Sequence, residues 1–199
     1  MNLAILASGR GSNFTALVKA VQKGRIKARI KLLICDKSKA FVRKRARKLG
    51  IKECLVEPKY FKSRLDFDKK LVKILRSEKI DLVILAGYMR ILTPYFVKSF
   101  KNKILNIHPA ILPDFKGANS IKRAFDCGCK LTGVTVHFVD EKVDHGPIIL
   151  QESIALKKEV GLVKLEQRIH KLEHKLYPLA VKLFVDKRLK VKKRKVEII

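Results

Sequence analysis

A chain of 199 residues, 47% of them hydrophobic, has the size of one domain and can bury a core without disulfide or metal staples. No apolar run reaches the roughly 20 residues that cross a bilayer, and the short uncharged start does not read as a signal peptide, so a cytoplasmic protein is expected. The net charge of +28 suits anionic partners, but lysines are spread along nearly every helical stretch, Trp is absent and no basic block interleaves aromatics, so non-specific adhesion to RNA is expected and specific nucleic-acid binding is not.

In chain order, the apolar run 2–8 predicts a buried strand, followed by a glycine turn and an amphipathic helix over 13–23 that Gly24 ends. Strands over 29–35, 52–57, 81–86 and 103–107 alternate with helices over 40–49, 65–78 and 94–100. Repeated βα units imply a parallel sheet with right-handed crossovers, whose functional groups gather beyond the carboxyl ends of the strands. The second half changes style. A helix over 118–126 precedes two strands, 131–139 and 147–156, that a polar loop joins as an antiparallel pair. A long helix over 160–186 follows, and the lysine–valine alternation of 189–199 reads as a lysine-guarded edge strand. The fold class is therefore α/β: a Rossmann-like, mostly parallel twisted sheet with helices on both faces and an antiparallel C-terminal part. Residues 1–199 form a single domain, with a phosphate-binding half (1–107) and a catalytic half (108–199). The four cysteines, Cys35, Cys54, Cys127 and Cys129, lack C-x-x-C spacing and are expected to be ordinary thiols.

Four segments carry polar chemistry. The turn Ser8-Gly9-Arg10-Gly11-Ser12-Asn13 lies between a strand and a helix, where backbone N–H groups cradle an anion and Ser12 or Asn13 can cap the helix. It lacks the third glycine of a dinucleotide fingerprint and the lysine of a P-loop. Asn106 and His108 stand two apart at a strand end and so share a face; an amide beside an imidazole suits a carbonyl oxygen that becomes negative. Asp144, in the loop between two strands, would raise the pKa of His108 if it stood beside it. His137, on the side of its strand opposite Val134, Val136 and Phe138, supports other groups or faces solvent. His170-Lys171-Leu172-Glu173-His174 matches the letters of an inverted zinc-protease motif, but no third ligand is identifiable, and no metal is expected.

Taken together, S-G-x-G-S-N at 8–13, L-A-G-Y-M-R-I-L at 85–92, L-N-I-H-P-x-x-L-P at 105–113, T-V-H-F-V-x-E-x-V-D-x-G-P-I-I at 135–149 and E-H-K-L-Y-P at 173–178 resemble the glycinamide ribonucleotide formyltransferase family, in its order and spacing, over nearly the whole chain. The resemblance implies the formyltransferase fold and transfer of a formyl group from 10-formyltetrahydrofolate to the amine of glycinamide ribonucleotide in purine biosynthesis. It implies that Gly11, Ser12 and Asn13 hold the 5′-phosphate, and that His170, Lys171, Leu172 and Glu173 line the rest of the ribonucleotide. Arg64, Met89, Arg90, Ile91 and Leu92 form the folate side, together with Asn106. Asp140, Glu141, Lys142, Val143 and Asp144 close over the pterin. Asn106, His108 and Asp144 are the implied catalytic trio: protonated His108 and Asn106 stabilise the tetrahedral oxyanion, and Asp144 keeps His108 charged and orders a proton-relaying water. Neither a metal nor a covalent enzyme intermediate is implied, and the chain would act as a monomer or homodimer.

The segment 114–121 departs from the family, in which many relatives carry Pro-Gly at 116–117 and histidine at 121. Two related activities share the trio. Formyltetrahydrofolate hydrolase usually carries an extra N-terminal domain, for which a first strand beginning at residue 2 leaves no room. Methionyl-tRNA formyltransferase has an additional C-terminal domain and a different first turn. A non-catalytic RNA- or ligand-binding module would not need the trio.

Overall fold

The computed structural model describes residues 1–156 and 161–199 and divides into two compact units, Met1–Leu105 and Asn106–Ile199.

The first unit is built from βα repeats. Strands β1 (Asn2–Ala7), β2 (Arg29–Cys35), β3 (Glu53–Leu55) and β4 (Leu82–Leu85) stand in the order β3-β2-β1-β4, and each neighbouring pair is parallel. β1 and β4 are apolar at every buried position, the pattern of strands covered on both faces. Helices α1 (Ser12–Gln22) and α2 (Phe41–Lys48) pack on each other and on β2. Helix α3 (Arg64–Ser77) is capped by Ser63, whose Oγ accepts from the N–H of Asp66 at 3.1 Å, and it buries Phe67, Leu71, Val72 and Leu75. Helix α4 (Pro94–Ser99) packs on α3. The join is a buried carboxylate: Asp68 accepts from the N–H and the hydroxyl of Thr93, the N-cap of α4, at 2.6 and 2.7 Å. Strand β5 (Ile104–His108) ends the βα series.

In the second unit β6 (Leu131–Phe138) lies between β5 and β7 (Ile148–Ala155). β6 and β7 are antiparallel, as expected, with Thr135 opposite Gln151 and an irregularity between Val136 and His137. Helix α6 (Leu162–Val185) lays Leu165, Ile169, Leu172, Leu176 and Ala180 against β6 and β7, the spacing of one helical face. Its expected start at 160 lies outside the described residues. Helix α5 (Ser120–Asp126) precedes β6. Among the described residues no helix is long and apolar enough to cross a membrane. The α/β class with a parallel first half and an antiparallel C-terminal part is thus what the chain adopts.

Several expectations are corrected. Cys127 and Cys129 form a disulfide, so only Cys35 and Cys54 are thiols. The intervening Gly128 is left-handed (φ 67°) and turns the chain so that the two Cα atoms lie 5.5 Å apart, within bridging range. The C-terminal segment is not one edge strand but a hairpin, β8 (Leu189–Lys192) and β9 (Lys195–Ile198), turned at Lys193, whose φ is 52°. Neither Ser12 nor Asn13 caps α1. Gly11 occupies the N-cap with φ 78°, and a Cβ there would lie 2.5 Å from the Val42 side chain. A 3-10 turn at Pro58–Tyr60 was not anticipated.

Candidate active site

The second unit gathers the expected trio. Asn106 and His108 sit at the end of β5, and Asp144 comes from the β6–β7 loop in a left-handed conformation (φ 46°) that aspartate tolerates better than most residues. Asp144 Oδ2 lies 3.3 Å from Nδ1 of His108, and its Oδ1 accepts from the Asn106 amide nitrogen at 3.3 Å. The other amide hydrogen of Asn106 points at Nε2 of His137, 3.2 Å away. His137 is fully buried rather than exposed, and its Nδ1–H donates to the Phe138 carbonyl at 2.7 Å. That bond leaves Nε2 as the acceptor.

Two backbone groups that sequence reading missed complete the cluster. The Phe115 carbonyl accepts from Nε2–H of His108 at 2.9 Å, and the Gly117 N–H donates to Asp144 Oδ2 at 2.8 Å. In the sequence this loop was marked by its departure from the family pattern over 114–121 and by Gly117, which the fold holds left-handed at φ 82°. An open cavity of about 430 Å³ reaches Asp144 and is lined by Leu112, Pro113, Lys116, His145 and Arg194.

Electrostatics here differ from expectation. Burial pushes the His108 pKa below its ordinary value, outweighing the upward pull of Asp144 and of the Phe115 carbonyl. The carboxylate is in place, but desolvation wins, so the resting imidazole is neutral near pH 7. Burial alone would raise the Asp144 pKa; the bond from the Gly117 N–H, and the hydrogen bond and charge that His137 and His108 offer once protonated in the acidic range where Asp144 titrates, reverse this and hold it below the usual carboxylate value. The pair at rest is therefore a carboxylate beside a neutral ring.

The remaining expected residues divide between the units. In the first, the turn at 8–13 opens α1 with Gly11 as its N-cap, and Ser8 ties it to the 87–92 loop: its N–H donates to the Gly87 carbonyl at 3.0 Å and its Oγ accepts from the Met89 N–H at 2.9 Å. Arg64 donates to the Ile91 carbonyl at 2.9 Å, and the Arg90 guanidinium stacks over Phe67. Met89 and Ile91 are exposed, whereas Leu92 is buried. In the second unit, His170 Nδ1 donates to the buried Glu173 carboxylate at 2.9 Å; Leu172 is buried and Lys171 exposed. Asp140 turns the loop by accepting from the Lys142 N–H at 3.0 Å and also accepts from His145 Nδ1 at 2.7 Å. Glu141 and Val143 are exposed on the same loop. Arg194, from the turn of the β8–β9 hairpin, donates to the His145 carbonyl at 2.8 Å.

Such a cluster of amide, imidazole and carboxylate can polarise a carbonyl, hold the resulting oxyanion and move a proton. Residues 1–181 match the family model described as formyl transferase. The chain is 42% identical over 179 residues to a phosphoribosylglycinamide formyltransferase of Bacillus subtilis (strain 168), covering 90% of this chain and 92% of that one. It is 40% identical over 190 residues to the enzyme of that name from Haemophilus influenzae, covering 96% and 90%. A solved structure of glycinamide ribonucleotide transformylase 1 from Symbiobacterium toebii superposes with a TM-score of 0.98 at 39% identity, covering all of this chain and 94% of that one.

Proposed function

The chain belongs to the formyl transferase family, and from that premise we infer that it is an enzyme of purine biosynthesis that moves a formyl group from a folate to the amine of phosphoribosylglycinamide. The observation that carries this reading is the part-buried Asn106–His108–Asp144 cluster in a chain 42% identical to an enzyme of that name.

The formyl donor is 10-formyltetrahydrofolate, a co-substrate; no protein-bound metal takes part. Gly11, Ser12 and Asn13 hold the 5′-phosphate at the start of α1, where the backbone N–H groups of a helix's first turn favour an anion. Glu173, with His170, Lys171 and Leu172, anchors the rest of the ribonucleotide. Arg64, Met89, Arg90, Ile91 and Leu92 receive the folate, and Asp140, Glu141, Lys142 and Val143 cover its pterin. Residues 1–107 and 108–199 are halves of a single formyltransferase domain.

The amine nitrogen attacks the formyl carbon, a C–N bond forms, and the carbonyl oxygen becomes an oxyanion stabilised by the Asn106 amide hydrogen that rests on Asp144, at 3.3 Å, in the absence of substrate. His108 enters neutral. Its Nε2–H is held by the Phe115 carbonyl, so Nδ1 carries the lone pair and takes the proton released by the attacking nitrogen. The imidazolium so formed faces Asp144 at 3.3 Å, which offsets the burial that otherwise disfavours it. The same proton passes, directly or through a water, to the folate nitrogen as its bond to the formyl carbon breaks. The enzyme works in the cytoplasm, as a monomer or homodimer, and its excess of lysines attracts RNA without sequence preference.

The test is formyl transfer by purified, nucleic-acid-free protein, with and without the amine substrate. Folate turnover that requires the amine supports the reading. Turnover without it identifies a hydrolase, and no turnover in either tube overturns the assignment.

A further inference from the structure

Three polar backbone atoms, carried by two consecutive peptide groups of the loop before α5, are each held by a different side chain. The Phe115 carbonyl is held by His108, the Lys116 carbonyl by Arg123 and the Gly117 N–H by Asp144, at 2.9, 2.7 and 2.8 Å. Two of these anchors belong to the catalytic cluster. The third, Arg123 of α5, does not touch that cluster; its guanidinium also stacks over the Phe115 ring, 5.7 Å from the centroid. The chain needs an external hold at this point, because Phe115 is left-handed (φ 51°), a conformation that a bulky residue rarely keeps by itself.

The loop in turn sets the state of His108. A carbonyl at Nε2 requires the hydrogen to be on that nitrogen, so the neutral ring carries its lone pair on Nδ1, toward Asp144. Without the carbonyl the neutral ring would place its hydrogen on Nδ1, pointing at the carboxylate, and Nδ1 could not accept a proton. We propose that Arg123 is a positioning residue that, by clamping the Phe115–Lys116 backbone, selects the Nε2–H tautomer of His108. This inference rests on the reaction proposed above, but its physical core, a tautomer set from α5, can be measured without substrate.

The experiment combines imidazole nitrogen chemical shifts of His108 in the free, full-length protein with steady-state kinetics. Wild type should show the Nε2–H tautomer above the His108 pKa. Arg123→Ala should move the population toward Nδ1–H and lower kcat by on the order of ten- to hundredfold, with KM for both substrates changed less than threefold. Arg123→Lys keeps a donor for the Lys116 carbonyl but not the planar stack, and should fall between the two. Lys122→Ala, on the same helix and paired with Asp126, should resemble wild type in both readouts. If Arg123→Ala is too unstable to study, Arg123→Gln, which retains an amide donor, takes its place with the same direction of change. An Nδ1–H tautomer in wild type, an unmoved tautomer in Arg123→Ala, or a moved tautomer with wild-type kcat each overturns the proposal. A wild-type protein with the Nε2–H tautomer but no formyl transfer would refute the reaction rather than the clamp.

Discussion

Asn106 gives one of its two amide hydrogens to His137, whose Nε2 is an acceptor because its Nδ1–H is spent on the Phe138 carbonyl. The bond fixes which way the amide faces and so which atom of Asn106 can meet an oxyanion. Replacing His137 by leucine removes one of the two bonds that orient the Asn106 amide, the other being to Asp144, and kcat should fall by about tenfold, a fraction of the ~10²–10³ typical for loss of a whole oxyanion donor. His137→Gln, which keeps an acceptor, should recover part of it. Steady-state kinetics of the two variants decide; equal kcat for the leucine and glutamine replacements would show that orientation of Asn106 does not matter.

Removing the charge of Asp144 should be far more damaging. Asp144→Asn keeps the shape of the loop but offers His108 no negative partner, so the imidazolium formed during transfer is unpaired. Turnover should drop on the order of 10³–10⁴-fold, the scale seen when a carboxylate that orients a catalytic histidine becomes an amide. His108→Ala should lose a comparable amount. Circular dichroism should show both variants folded; near-normal turnover in either would remove that residue from the mechanism.

The pH dependence follows from the direction of the His108 shift. Because its folded pKa lies below 6.5, the unfolded chain binds the extra proton first as pH falls. This contribution to stability is complete above about pH 6.5 and is lost as pH drops from there toward the folded pKa. Asp144, also shifted down, adds a second loss below its ordinary value of 3.8 as pH falls through its folded pKa. Urea midpoints measured across pH should therefore decline below about 6.5, and the decline should be shallower in His108→Gln. The same neutral ring is the active form, so kcat/KM should have an acid limb with an apparent pKa below 6.5. An apparent pKa above that value would show that the carboxylate, not burial, governs the ring.

The β6–β7 loop has a steric keystone. A Cβ on Gly146 would lie 1.8 Å from the Phe138 carbonyl oxygen, a backbone atom that cannot swing aside. Gly146→Ala should destabilise the protein by about 1–3 kcal/mol and displace Asp144, so both melting temperature and kcat should fall. Gly9→Ala, where no atom lies within 4 Å, should leave the melting temperature unchanged.

Arg194 reaches the same loop through the His145 carbonyl, from a hairpin beyond the 1–181 segment of the family match. Arg194→Ala should raise KM for the folate several-fold and lower kcat less, because it frees the loop rather than the trio. An unchanged KM would mean that Asp140 and His145 order the loop without the hairpin.

Much of this molecule was legible in its residues. Apolar runs at 2–8 and 81–86 announced strands buried on both faces, and the alternation of strand and helix announced parallel pairing, because such periodicities are local consequences of burial. Asn106, His108 and Asp144 could be singled out because their residue types and motif spacing survive in one dimension. The hairpin at 189–198 was misread because two short strands with the same lysine–valine alternation carry no turn signature stronger than Lys193-Arg194. The Cys127–Cys129 bridge was missed because spacing alone does not report the left-handed turn at Gly128 that brings the two residues within reach.

Residue order was enough to specify the class of fold and the family, and to nominate the groups proposed to react. The state of those groups came from the folded chain. Whether a carboxylate or burial controls an imidazole depends on how much water the surrounding residues exclude, and around His108 burial prevails. Which nitrogen of that ring carries the hydrogen depends on a carbonyl seven residues away in the chain, and which amide hydrogen of Asn106 is committed depends on a ring 31 residues away. Neither backbone carbonyls nor tautomers leave a mark in a string of side chains, so these could be settled only by folding.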